Sequence, residues 1–126
     1  MTAALEGLRV LDLTEAEGHL CGRLLADLGA EILKIEQPQG DTSRHMGPFK
    51  GDIPNPEASL PFCYLNTNKK SVVIDLSTAE GRDEFKALSL TSDAIIETFS
   101  PSILDGWGLD YRTLQKDNPG LVMASI

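Results

Sequence analysis

Three stretches of this 126-residue chain carry the residues that could do chemistry. The first is "TEAEGHLCG", residues 14–22, which places Glu15, Glu17, His19 and Cys21 together. Two carboxylates and an imidazole at that spacing are the raw material of acid–base catalysis. Neither His19 nor His45 has a recognisable sequence partner, so both acids read as solvated loop residues and both histidines as non-catalytic. The second is Glu36, an acid closing an apolar run, where a dinucleotide-binding fold would grip a ribose. The third is basic: Arg44, His45, Lys50, Lys69 and Lys70, which could form a cationic rim for an anionic ligand. Ser43, Ser59 and Ser71 lie in no G-x-S-x-G elbow. Cys21 and Cys63 have no CxxC spacing and read as buried thiols, so no metal site is expected.

The elements that must position these residues alternate. "LRVLDL" (8–13) reads as a strand, and the leucines at 20, 24, 25 and 28 mark a helix that Gly29 ends. "EILKIE" (31–36) is a second strand, with Lys34 interrupting its apolar run. Residues 37–61 hold five of the seven prolines and predict no regular element, hence a long binding loop. Phe62–Leu65 is a short apolar segment, and "SVVIDL" (71–76) a strand. Ser77 or Thr78 caps the next helix, which turns Phe85, Ala87 and Leu88 to the core. "AIIETF" (94–99) is a strand; Pro101 and Asp110 open two short helices. "LVMASI" (121–126) is a last strand, apolar enough to be buried on both faces. The order predicts an α/β fold with a Rossmann-like, mostly parallel sheet.

Composition excludes more than it assigns. Eleven basic against 19 acidic residues leave a net charge of −8, which argues against a nucleic-acid binder. No run approaches a membrane span, and the N-terminus lacks a secretory run, which predicts a cytoplasmic protein. The first strand–helix turn offers Gly18 and Gly22 in place of GxGxxG, and its two glutamates would repel a diphosphate, so NAD is not expected. A Walker A motif is absent.

Five segments in register resemble class III CoA-transferases, the CaiB/BaiF family. They are Leu5–Thr14 ("LEGLRVLDLT"), Cys21–Arg44 ("CGRLLADLGAEILKIEQPQGDTSR"), Asn66–Gly81, Asp93–Leu109 and Asn118–Ile126. The resemblance implies that residues 1–126 are the N-terminal part of the family's large domain, cut after a strand. It implies a cytoplasmic homodimer of interlocked subunits, with no prosthetic group. Its substrates would be a coenzyme A thioester, the acyl-CoA, and a carboxylic acid acceptor. The family's nucleophilic aspartate would lie past Ile126, so no catalytic residue is expected in this chain. CoA-binding positions carried over by resemblance are Ala16, Glu17, Gln37, Ile74, Ser77, Thr98, Phe99 and Gly106. Basic family positions are Gln37, Ser77 and Gly106 here, which shifts the phosphate charges of CoA onto Arg44 or Lys70. Alternatives are an acyl-CoA racemase or epimerase of the same superfamily, and a non-catalytic binding or assembly domain. A receiver-type signalling domain shares the element order, but Glu15 and Glu17 imitate only its acidic cluster.

Overall fold

The computed structural model describes residues 2–126. Five strands form one all-parallel sheet: β1 (Arg9–Leu13), β2 (Glu31–Glu36), β3 (Lys70–Val73), β4 (Ala94–Glu97) and β5 (Val122–Ser125), in the order β3-β2-β1-β4-β5. The helices are α1 (His19–Asp27), α2 (Leu60–Leu65), α3 (Ala79–Ser89), α4 (Pro101–Trp107) and α5 (Tyr111–Asp117). The chain runs outward from β1 to β3, then returns to place β4 on the other side of β1. That reversal opens a crevice at the carboxyl ends of β1 and β4, where ligands of open α/β sheets bind.

Alternation along the strands sorts the side chains into two faces. Leu11, Leu13, Ile35 and Ile95 meet Phe85 of α3, Leu104 of α4 and Leu114 of α5 in one apolar core. Val10, Ile32 and Ile96 meet Ala26 of α1 and Ala30 on the other face. Moving toward the carboxyl ends, that second face turns ionic, because Asp12, Lys34 and Glu36 follow in the same alternation and are all buried.

Local chemistry sets the boundaries. Gly29 ends α1 at φ +105°, a left-handed position that favours glycine. Thr78 caps α3 by accepting from Gly81 N (3.0 Å), so the cap is Thr78 and Glu80 falls one position short of a capping box. Gly81 is glycine because a Cβ there would overlap the Asp75 carbonyl oxygen. Asp110 caps α5 as expected, accepting from Thr113 N (3.2 Å).

Several expectations need correction. β5 is not buried on both faces; it is a sheet edge with Val122 61% exposed, and only Leu121 before it is buried. The leucine spacing locates α1 but not its inner face: Leu20, Leu24 and Leu28 are exposed, and His19, Gly22 and Ala26 point inward. Cys63 is exposed and Cys21 only half-buried, since α2 turns Phe62 rather than Cys63 to the interior. Ala87 is exposed on α3. Residues 37–61 are not structureless. They hold 3-10 turns at Thr42–His45 and Lys50–Asp52, a Phe49–Ser59 bridge and the first turn of α2, with Ser59 as its cap.

Candidate functional site

Beside that reversal, at the carboxyl ends of β1 and β2, lies a candidate site with two walls. One is the turn after β1, where Ala16–Gly18 form a 3-10 turn running directly into α1. The other is the segment after β2, Gln37–Thr42. Between them lies a small cleft of about 70 Å³, lined by Thr14, Glu15, Gln37, Gly40, Thr42 and Phe99 among others. Across the mouth the Thr42 hydroxyl donates to Glu15 Oε2 (2.7 Å). The Glu15 backbone N–H donates to Thr98 Oγ1 (2.8 Å), which ties the first wall to the end of β4. Phe99 stands edge-on to Trp107, with ring centroids 5.6 Å apart.

Of the positions carried over by resemblance, Gln37 and Phe99 line the cleft, and Ala16, Glu17 and Thr98 belong to or touch its first wall. Glu17 is exposed, free to point away from any phosphate. Ser77 is exposed, and its hydroxyl donates to Asp75 Oδ1 (2.6 Å). The Ile74 side chain is buried in the core, so only its backbone can meet a ligand. Gly106 is exposed on α4, with open space where a Cβ would stand.

The cationic rim forms only in part: Arg44, Lys69 and Lys70 line one pocket of about 150 Å³ with Lys34 and Phe62, but each of the three is paired with an acid. Arg44 turns inward and grips Glu36 through two bonds, Nε to Oε2 (2.7 Å) and Nη2 to Oε1 (2.8 Å), while its guanidinium stacks on Phe62. Lys69 is buried against Asp12 (2.7 Å). Lys70 begins β3 and pairs with Glu31, the first residue of β2, at the amino end of the sheet. His45 and Lys50 are exposed. Glu36 is likewise not free to grip a ribose: besides Arg44 it accepts from Ser71 Oγ (2.9 Å) and Asp41 N (3.1 Å). Burial would raise the Glu36 carboxyl, and the Arg44, Asp41 and Ser71 hydrogen bonds outweigh it and hold it below its ordinary range.

What sequence reasoning missed is a buried polar chain beneath the second wall. Lys34 Nζ lies 2.9 Å from Asp41 Oδ2 and 2.9 Å from Thr14 O. His19, fully buried, places Nε2 3.1 Å from the same Asp41 oxygen and 3.2 Å from Thr14 O. Asn66, at the end of α2, links His19 Nδ1 to Lys69, and Lys69 leads to Asp12. Burial pushes the Asp41 carboxyl up, but the His19 hydrogen bond, the Lys34 charge and Ser43 prevail and hold it far below the carboxylate range. Burial pulls the Lys69 ammonium down, against the opposing pull of Asp12. The signal for this chain was present in the sequence: an acid inside "RVLDL" and a lysine inside "EILKIE". Charges at core positions of strands are rarely fully buried unless paired.

Among the described residues, no group of three or more His, Cys, Asp or Glu side chains could hold a metal ion, and no helix is long and apolar enough to cross a membrane. The family model for CoA-transferase family III matches residues 5–126. The chain is 38% identical over 118 residues to the succinyl-CoA:(R)-benzylsuccinate CoA-transferase subunit BbsE of Thauera aromatica, covering 94% of this chain and 29% of that protein. It is 41% identical over 128 residues to a formyl-CoA:oxalate CoA-transferase of Afipia carboxidovorans, covering 100% of this chain and 29% of that one. A crystal structure of a CAIB/BAIF family protein from Brucella suis superposes with a TM-score of 0.89 at 35% identity, covering 99% of this chain and 33% of that one. The chain thus spans less than a third of the curated relatives it matches.

Proposed function

The chain belongs to CoA-transferase family III, and from that premise we propose that it is the N-terminal segment of an acyl-CoA:carboxylate CoA-transferase, supplying part of the surface that holds the CoA thioester. The observation that carries this reading is the cleft between the carboxyl ends of β1 and β2, closed on the β4 side by Phe99. Its lining includes Gln37 and Phe99, two of the positions matched on sequence alone. The cleft is too small for a whole nucleotide-bearing thioester, and its role is to seat one portion of it. Of the acids that line it, Glu36 is paired with Arg44 and Asp41 with Lys34, which leaves Glu15 without a cation. With no free cation in the lining to meet the phosphates, the uncharged pantetheine–thioester arm is the part of CoA that fits.

The substrates of the full protein are an acyl-CoA and a carboxylic acid acceptor, and a transferase is favoured over a racemase because both relatives above are named as CoA-transferases. The catalytic carboxylate lies outside this segment, the working form is a homodimer and its place is the cytoplasm. Titration calorimetry with free coenzyme A tests the binding reading: measurable heat that competes with an acyl-CoA supports it, and no binding at millimolar ligand overturns it. An assay for CoA transfer from an acyl-CoA to a free acid tests the second point. Turnover above blank by residues 1–126 alone would place the nucleophile here and refute that part.

A further inference from the structure

The buried chain has a direction that follows from its Lys69 end. Lys69 Nζ can only donate, so the Asn66 atom 2.8 Å from it is the carbonyl Oδ1. That leaves the Asn66 NH2 facing both Phe62 O (3.0 Å) and His19 Nδ1 (3.2 Å). An amide NH2 only donates, so His19 Nδ1 must accept and the ring proton sits on Nε2. From Nε2 the proton is directed at Asp41 Oδ2 and Thr14 O. Lys34 approaches the same nitrogen at 3.1 Å because both are donors to those two shared acceptors.

This wiring places His19 where the two walls of the cleft meet. Thr14 O belongs to the first wall. Asp41 belongs to the second, and it organises that wall: Oδ1 accepts from Ser43 N (2.8 Å) and Ser43 Oγ, and its own N–H donates to Glu36. Ser43 O in turn accepts from Ser59 Oγ (2.9 Å), which stitches the far end of the 37–61 excursion to the same point.

We propose that His19 is a positioning residue of the cleft: held as its Nε2–H tautomer by the Asp12–Lys69–Asn66 chain, it grips Asp41 and thereby fixes the Gln37–Thr42 wall against the turn after β1. The proposal deepens the reading of the cleft as a CoA site and rests on it for its effect on affinity. His19 does not touch the substrate; it sets the distance between the walls that do. Gln at this position can offer Asp41 an N–H donor from nearly the same reach, and Ala cannot.

The test compares His19→Ala, His19→Gln and Leu109→Ala, the last a core truncation beneath the opposite sheet face that matches a loss of stability without touching the chain. Free coenzyme A is titrated by calorimetry at a temperature where each variant is folded. His19→Ala should weaken binding at least tenfold, His19→Gln by less than threefold, and Leu109→Ala should leave it unchanged. Equal affinity for His19→Ala and the parent, or equal loss for Gln and Ala, overturns the proposal. Long-range ¹H–¹⁵N spectra of the unliganded parent supply a readout independent of CoA: a protonated Nε2 and bare Nδ1 support the wiring, and the other tautomer or an imidazolium refutes it. Amide shifts of Gln37–Thr42 in His19→Gln should stay near those of the parent; if His19→Ala fails to fold, this comparison and the tautomer still decide. If the parent binds no coenzyme A, the functional reading falls while the tautomer and the wall shifts continue to judge the positioning role.

Discussion

On one face of the sheet Leu11, Leu13, Ile35 and Ile95 pack against Phe85, Leu104 and Leu114 with apolar atoms alone. On the other, β1 and β2 begin with Val10 and Ile32 but end, toward the carboxyl side, with Asp12, Lys34 and Glu36, while β4 keeps Ile96 in register with Asp12. The first face gains stability from area removed from water and is indifferent to small angular errors. The second gains little net stability from its charges, because desolvation offsets much of their attraction. It gains geometry instead: each charge is satisfied only in one arrangement, and no buried side-chain polar atom of the described residues lacks a partner. The cleft draws on both faces, Leu13 and Ile35 from the apolar one and Thr14 and Glu36 from the ionic one, and the ionic side supplies the directional bonds to its Gln37–Thr42 wall. The apolar face lies beneath α3 and α5, which carry none of the cleft-lining residues.

The largest effect should come from the apolar face. Phe85 is fully buried at the centre of its core, and Phe85→Ala removes a ring that the surroundings cannot replace. A loss of about 3–5 kcal/mol is expected, measured by urea denaturation. The pH dependence of the remaining stability should keep the parent's shape, since no titrating group is altered. A loss below about 1 kcal/mol would break the contrast by showing that this face is not the main store of stability.

The ionic face should respond in a different pattern. Lys34→Met leaves Asp41 buried with one cation fewer, and a loss of about 3 kcal/mol is expected. In the double variant Lys34→Met/Asp41→Asn the loss should be smaller than the sum of the singles by at least about 1 kcal/mol, because the stranded charge is gone. Additive losses would mean that the two groups do not act as a unit. Asp41 also predicts the acid limb. Its carboxyl is held far below its ordinary value in the folded state, so the stability it contributes is complete above about pH 4 and is lost as the pH falls below it. Asp41→Asn should therefore flatten the stability curve below pH 4 and lower it at pH 7, while Phe85→Ala shifts the whole curve down in parallel.

These two faces were not equally legible in the sequence. The parallel sheet, a cap at Ser77 or Thr78 that the structure resolves to Thr78, the cap at Asp110 and the C′ role of Gly29 follow from alternation and local turn chemistry, which act within a few residues. Burial was harder, because it depends on what lies across the sheet. The leucines of α1 have helical spacing, yet the inward face is made of His19, Gly22 and Ala26. Gly22 allows that close approach: a Cβ would stand 2.5 Å from Asp12 Oδ2 and 3.0 Å from Lys69 Nζ. The apolar composition of "LVMASI" could not reveal that its strand lies at the edge of the sheet. Arg44 and Lys69 read as a rim because cations in loops usually face water, and their acids, Glu36 and Asp12, stand 8 and 57 positions away. Of the cleft's lining only Gln37 and Phe99 came from family resemblance; its walls and the buried chain beneath them came from the fold.

The smallest expected effect sharpens the comparison from the side of the cleft that carries no charge network. Gly106 lies in α4, after β4, at a position where the family resemblance implies a basic residue, and nothing stands within 4 Å of where its Cβ would be. Gly106→Arg should raise helix stability by up to about 1 kcal/mol, from propensity alone. If α4 faces the phosphate end of coenzyme A, the new guanidinium adds a charge-assisted bond, and affinity should rise severalfold at low salt and fall back as salt is added. Improved stability with unchanged affinity would place the phosphates elsewhere and leave α4 a scaffold. Improved affinity that fades with salt would place the phosphate end of coenzyme A beside α4, away from the paired charges of the ionic face.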